Sequence, residues 1–335
     1  MKITIVGLGA VGALLAARLQ EGGHQVAALA RGATLQAVQR DGLKLQRGDR
    51  VTVHRLTVSD DPQALPEAEL VVLALKGPAL AASATQLAPL WQHGATVLPA
   101  MNGVPWWFLA PGLVPGLTPD DAALSAVDPT GAIAAALPLA QVLGCVVHLA
   151  SSCPAPGHVQ HGFGERLIVG EPAAQTAADA GAISSRVRQV ASALAAAGFE
   201  AEASTDIRRD IWFKLWGNMT MNPVSALTGA TVDRILDDPL VLDFMVRAMQ
   251  EAAAIGARIG CPIEQSAVER IGLARQLGAF RTSMLQDTEA ARRIELDALV
   301  GVVREIGTRL GLPTPNIDTL FGLTRLMGRE RGLYP

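Results

Sequence analysis

The chain has 335 residues, half of them hydrophobic and 18% charged, with 28 Lys and Arg against 31 Asp and Glu for a formal charge of −3. That composition excludes a disordered chain, which needs few apolar residues and a high net charge, and the near-neutral balance argues against a dedicated nucleic-acid binder. The length exceeds one typical core and implies about two domains.

The chain opens with a short β-rich run, Lys2–Val6, followed by helical spacing over residues 10–21 (Leu14, Leu15, Leu19) and a second strand-like run over 24–30. Residues 3–19 mimic a signal peptide behind Lys2. Three glycines interrupt them, Arg18 ends their apolar character, and no small-residue cleavage site follows, so they are read as part of the fold. Residues 43–46 and 50–57 read as short strands of an insertion. Residues 70–75 form a continuous apolar run, as in a strand buried on both faces. A helix over 79–90 and a strand over 96–100 complete an alternation that predicts a parallel sheet covered by helices.

Residues 101–175 are rich in Pro and Gly and are expected to add strands that close this sheet. Within them, 131–153 carry no formal charge. Pro138, Gln141, Gly144 and His148 punctuate that stretch, which predicts strands and a turn rather than a membrane span. An Ala-rich helix is expected over 177–197, ending at Gly198, and a last strand over 199–203. From Asp206 helical periodicity runs to Arg331, with breaks expected at Pro223, Pro239, Pro262 and Pro313. The expected organisation is therefore α/β plus all-α, with a Rossmann-type parallel-sheet domain over 1–205 and an all-helical domain over 206–335. Cys145, Cys153 and Cys261 cannot make a disulfide framework and include no Cys-x-x-Cys pair, so a reducing, cytoplasmic setting is the simplest expectation.

The first turn carries the most specific chemistry of this half. Gly7-Leu8-Gly9-Ala10-Val11-Gly12 is a G-x-G-x-x-G that follows a strand and opens a helix. Gly7 permits the tight turn, Gly9 lets the backbone approach a pyrophosphate, and Gly12 lets the helix pack on the sheet. The helix N-terminus then offers unbonded N–H groups to the phosphates. A plain Gly-rich turn is the alternative. The second strand ends at Arg31, where an NAD enzyme usually places Asp or Glu for the ribose 2′-hydroxyl. A guanidinium there suits a 2′-phosphate, which favours NADP(H) over NAD; the alternative is a solvated turn residue. Lys76 and Asn102-Gly103 close the runs 70–75 and 96–101, at the carboxyl ends where ligands of open α/β sheets lie. They are candidates for cofactor or substrate contacts, or ordinary loop residues.

In the helical half, Lys214, Asn218 and Asn222 recur at i, i+4 and i+8, so one helix face presents a cation and two amides beside Trp212, Trp216 and Met221. Desolvation of Lys214 would ease proton donation near neutral pH; the bland alternative is a snorkelling lysine with two surface amides. Ser283 and Gln286 have capping-box spacing. Ser283 and Glu295 would lie ~18 Å apart along one straight helix, so a shared site needs Ser283 on a cap or a helix break near 287–288. Otherwise Glu295 is a helix charge paired with Arg292. His158-x-x-His161 lacks further ligands at metal spacing, so no metal is expected. Trp106-Trp107 walls a pocket or packs in the core.

This ordered set resembles the ketopantoate reductase family (2-dehydropantoate 2-reductase) over nearly the whole chain. The match comprises Gly7–Gly12, Arg31, Lys76, Asn102-Gly103, Lys214 with Asn218 and Asn222, and Ser283-Met284-Leu285-Gln286-Asp287 leading to Glu295. The resemblance implies NADPH-dependent reduction of a 2-oxo acid to a 2-hydroxy acid on the pantothenate route. In that scheme Lys214 is the proton donor and Glu295 its acidic partner, with a cofactor-side role as well. Asn218, Asn222, Ser283 and Lys76 contact substrate, and Lys76 and Asn102 contact the cofactor. Two departures stand out: Val232 occupies the place of an Asn eighteen residues after the lysine, and residues 104–141 are long and Pro-rich. Reduction of a different 2-oxo acid, a β-hydroxyacid dehydrogenase relative and a non-catalytic dinucleotide sensor are the competing expectations. The expected partner is a small 2-oxo acid, with neither nucleic acid nor membrane. The apolar helices are compatible with a homodimer and equally with core packing.

Overall fold

A computed structural model of the chain describes residues 1–114, 122–173, 182–276 and 278–335. The chain separates into two compact units, Met1–Met101 with Thr130–Asp210, and Asn102–Pro129 with Ile211–Pro335.

The first unit begins β1 (Lys2–Val6), α1 (Ala10–Glu21), β2 (Gln25–Leu29) and α2 (Gly32–Asp41). It continues with β3 (Leu43–Arg47), β4 (Arg50–His54), β5 (Thr57–Ser59), β6 (Leu70–Leu73), α3 (Gly77–Leu87) and β7 (Thr96–Pro99). Five of these strands form a parallel sheet in the order β5-β2-β1-β6-β7. β6 is the Leu-Val-Val-Leu core of the apolar run, and all four residues are buried. The chain switches sides of β1 between β2 and β6, and that switch collects the carboxyl ends of three strands in a row.

The middle of the chain departs from expectation. Residues after 101 do not close the parallel sheet. β8 (Gly144–Ala155) and β9 (His158–Gly170) form a long antiparallel hairpin in a second sheet. There β9 also pairs in parallel with β3 and with β10 (Glu200–Ser204), while β4 pairs with β3. The two-residue connection Pro156–Gly157 admits only antiparallel pairing. The buried end of the hairpin, residues 144–147 and 167–170, covers the face of α1 turned away from the parallel sheet. Residues 131–153 hold a single strand rather than strands and a turn, because Ala132–Ala136 is a short helix, as an Ala-rich run favours. The Ala-rich helix further on is Ser185–Ala196, capped by Ser184, whose Oγ accepts the Val187 N–H at 3.2 Å. Residues 177–181 of its expected span lie outside the described residues.

α1 is therefore buried on both sides. Leu14, Leu15 and Leu19 are at most 1% exposed, and each contributes about 1.5–3 kcal/mol of apolar burial. Arg18 is buried with them and fully engaged. Its Nε donates to Ala197 O at 2.9 Å, its Nη2 donates to Gly198 O at 2.8 Å, its Nη1 meets Glu165 at 3.1 Å, and its guanidinium stacks 4.7 Å from the Phe199 ring.

The second unit is helical, built on Ile207–Thr228, Val232–Asp237, Pro239–Arg258, Ala267–Arg275, Ser283–Glu289, Val302–Arg309 and Pro315–Glu330. The division between units falls in the first turn of Ile207–Thr228, between Asp210 and Ile211. Residues 102–129, which the sequence assigns to the first domain, group with the helices instead. Trp106, Trp107 and Phe108 are buried there, and Phe108 stacks on Trp212 at 5.9 Å. Glu305 also receives the backbone N–H groups of Ser125 and Ala126 at 2.9 and 2.8 Å. Pro223 does not break its helix. Its missing N–H forfeits one bond to the preceding turn, and the burial of Thr220, Asn222, Val224 and Ser225 around it keeps the helix continuous. Pro239 starts a helix, with Asp238 as cap. No helix among the described residues is long and apolar enough to cross a membrane.

Candidate active site

The glycine turn divides its labour by geometry. Gly7 has φ +95°, and a Cβ there would lie 2.7 Å from Leu75 Cδ2 and 2.9 Å from Ala74 O. A Cβ on Gly12 would lie 1.9 Å from Gly7 O. Both positions are closed by the fold itself. Gly9, at the N-cap of α1, would meet nothing within 4 Å. No side chain caps α1 and no acidic residue occupies its first turn, so neither competes for the N-terminal amides of Ala10, Val11 and Gly12. That arrangement suits a pyrophosphate.

The strand order brings two further candidates to the same edge. Arg31 follows β2 at the N-cap of α2, exposed, with its Nη2 at 3.5 Å from Gln86 Oε1, the outer limit of a hydrogen bond. Lys76 follows β6 at the N-cap of α3, and its carbonyl accepts the Ala79 and Leu80 N–H groups at 2.9 and 3.1 Å.

In the helical unit, the half-buried Lys214 donates from Nζ to Asn102 Oδ1 at 2.6 Å. Eight residues further along the same stripe, Asn222 is buried and its Nδ2 lies 3.4 Å from Ser283 Oγ, with the half-buried Asn218 between them. The lysine–amide face therefore ends on a polar side chain at each end. Ser283 is not the cap of its helix. Thr282 is, accepting the Leu285 N–H at 3.2 Å, while Gln286 Nε2 donates to Arg281 O at 3.0 Å, so the expected capping box is absent. The helix ends at Glu289, and Ala291 turns the chain with φ +51°. Glu295 consequently lies off that helix and half-buried, and Arg292 pairs with Asp287 at 2.9 Å rather than with Glu295. The straight-helix separation from Ser283 does not apply.

Several supporting residues carry no periodic signal in the sequence. Glu295 is followed by a π-helical segment, Asp297–Gly301, a form frequent at functional sites. Ala298 O accepts the Val104 N–H at 3.0 Å, and Gly103 (φ +89°) packs against it so closely that a Cβ would lie 2.4 Å from that oxygen. Asp297 Oδ1 accepts from Tyr334 Oη at 2.7 Å, and Tyr334 is the only tyrosine of the chain. Burial raises the Asp297 carboxyl above its ordinary range, opposed by the tyrosine hydroxyl and by Arg293 and Arg325. Trp106 and Trp107 are core residues. His161 lies 2.8 Å from Gly164 O, and no group of three or more potential metal ligands occurs among the described residues.

Comparison with known proteins places this chain among relatives. The model of the ketopantoate reductase PanE/ApbA family matches residues 3–106, and that of its C-terminal domain matches 206–328. A 2-dehydropantoate 2-reductase of Mesorhizobium japonicum is 40% identical over the full length of both chains. A provisionally assigned ketopantoate reductase of Ralstonia solanacearum MolK2 superposes with a TM-score of 0.91 at 54% identity over 99% of each chain. A PanE/ApbA family ketopantoate reductase of Ralstonia eutropha JMP134 gives 0.81 at 26% identity, covering 99% of this chain and 100% of its own.

Proposed function

Because the chain belongs to the ketopantoate reductase family, a family of dinucleotide-binding oxidoreductases, we propose that it reduces 2-dehydropantoate to pantoate with NADPH. The observation that carries the proposal is the Lys214–Asn102 hydrogen bond, which fixes an ammonium on a helix face lined with amides.

The glycine turn fits a dinucleotide on the geometry above: Gly9 leaves room beside the start of α1, whose amides at Ala10, Val11 and Gly12 would hold the pyrophosphate, with Leu8 and Gly9 lining its approach. Arg31 would pair with the 2′-phosphate, and Lys76 and Asn102 would serve the cofactor side. When bound, the reduced nicotinamide supplies a hydride. The remaining work belongs to this chain's residues. Lys214 meets the negative charge that develops on the substrate's C2 oxygen and transfers a proton to it, while Asn102 sets the direction of its ammonium. Asn218, Asn222 and Ser283 hold the carboxylate and hydroxyl of the substrate. Glu295 orients the ammonium or a substrate hydroxyl, and acts on the cofactor side as well.

The test is NADPH oxidation with ketopantoate, pyruvate and bulkier 2-oxo acids, in the parent and in Lys214→Ala. Ketopantoate turnover is expected, with kcat falling about 10²–10⁴-fold in the variant, the span of a general acid. Near-normal turnover in the variant removes Lys214 from its role. Turnover of another acid alone moves the enzyme to a different substrate, and cofactor binding without any turnover makes it a sensor. A preference for NADH removes the role given to Arg31.

A further inference from the structure

Residues on either side of Glu295, its neighbour Ile294 and Asp297 two positions on, are held by Leu333 and Tyr334. On one side, the Ile294 N–H donates to Leu333 O at 3.1 Å. On the other, Asp297 receives the Tyr334 hydroxyl at 2.7 Å. The tail is itself folded back onto the final helix. The N–H groups of Leu333 and Tyr334 both reach Gly328 O, at 2.7 and 3.2 Å, and a Cβ on Gly328 would lie 2.7 Å from Tyr334 Cβ and 3.3 Å from Ile294 Cδ1. Gly301 makes room for the Asp297 carboxylate within the π-helical turn, since a Cβ there would lie 3.1 Å from Oδ1. Ile294, Leu296 and Leu333 are buried, so this short stretch has little freedom except through these bonds.

The same stretch meets the lysine's partner. Ala298, one residue past Asp297, holds Val104 N–H and packs on Gly103, next to the Asn102 that binds Lys214. From these contacts we infer that Tyr334 is a positioning residue for the reaction: through Asp297 it fixes the backbone that carries Glu295 and, through Ala298, the turn that carries Asn102. This rests on the roles given above to Glu295 and Lys214.

The experiment is Tyr334→Phe, which deletes one hydroxyl and keeps the ring. The expected result is a fall in kcat of about 10-fold, as for a small displacement of reacting groups. The KM for ketopantoate and the affinity for NADPH should change less than kcat, because the hydroxyl itself touches neither ligand and acts only through the direction of Glu295 and Asn102. In an Asp297→Ala background the tyrosine change should add nothing, since the two act as one unit. Phenolate absorbance gives a second readout of the buried, bonded hydroxyl. The sole tyrosine is pushed up to about 12 by burial and by Asp297, so it should stay un-ionised near pH 10 in the parent. A normal kcat in Tyr334→Phe, equal losses in both backgrounds, or tyrosine ionisation near pH 10 in the folded parent would each overturn the inference. Glu295→Ala is measured alongside. If it turns over normally, the role of Glu295 fails first; if it is inactive while Tyr334→Phe is normal, only the present inference fails.

Discussion

A lysine ammonium donating to an amide oxygen at 2.6 Å is held at one place rather than swept through solvent. Asn102 supplies that acceptor without a charge of its own, so it directs the ammonium without neutralising it. Asn102→Ala should therefore lower kcat about 10–100-fold while leaving Lys214 present, an orientation effect rather than the loss of an acid. Steady-state kinetics at saturating NADPH checks this; an unchanged kcat would show that Lys214 finds its direction without Asn102. The stripe of Lys214, Asn218 and Asn222 was legible in the sequence because a helix repeats every i+4. The partner of Lys214 was not, because Asn102 lies 112 residues away and its residue type fits a strand-end loop as well as an acceptor. Tyr334 was invisible for the same reason: a lone aromatic near the chain end carries no period, and only the folded tail brings it to Asp297.

At the scale of elements, the glycine turn separates residues that serve the fold from one that serves a ligand. A methyl group at Gly12 would collide with the Gly7 carbonyl, so Gly12→Ala must shift α1 off β1. Its expected cost is about 1–3 kcal/mol of overpacking, read as a lowered thermal midpoint. A methyl group at Gly9 meets only open space, so Gly9→Ala should keep its midpoint while its affinity for NADPH falls by about 10-fold or more, because the methyl occupies the approach of the pyrophosphate. Calorimetry and a cofactor titration on both variants distinguish the two; tight binding by Gly9→Ala would remove the turn from the cofactor site. The strands and helices of this half were readable because apolar runs such as Leu70–Leu73 declare burial on both faces. The β8–β9 hairpin was readable as strand but not as a second sheet. Which sheet a hairpin joins depends on the apolar face of α1 that it covers, a contact remote in sequence. Pro223 misled because a proline breaks an isolated helix, whereas surrounding burial holds this one together.

Across the first unit as a whole, two sheets share one buried helix, and stability depends on polar groups trapped at that junction. His54, at the end of β4, is buried with its Nε2 2.9 Å from Thr52 Oγ1 and its Nδ1 3.2 Å from Gln20 Oε1 near the end of α1. Burial lowers its pKa below the ordinary value, outweighing the opposing pull of Glu21, which lies 3.5 Å away. In the unfolded chain a histidine titrates near about 6.5, so as the pH falls the unfolded state takes up this proton first. The stabilisation is therefore complete above that range and is lost as the pH drops through it toward the lower folded value. The half-buried Asp210 and, in the helical unit, the half-buried Asp297, whose pKa values desolvation raises, act in the opposite sense, because acid favours their neutral folded forms. A comparison of variants isolates the histidine. Denaturant midpoints measured at about pH 7.5 and 5.5 should drop on acidification in the parent. In His54→Asn, which keeps a hydrogen-bonding amide but cannot titrate, the drop should be smaller. An equal drop in both proteins would mean that the acid sensitivity of this molecule arises elsewhere and that His54 is accommodated in either charge state.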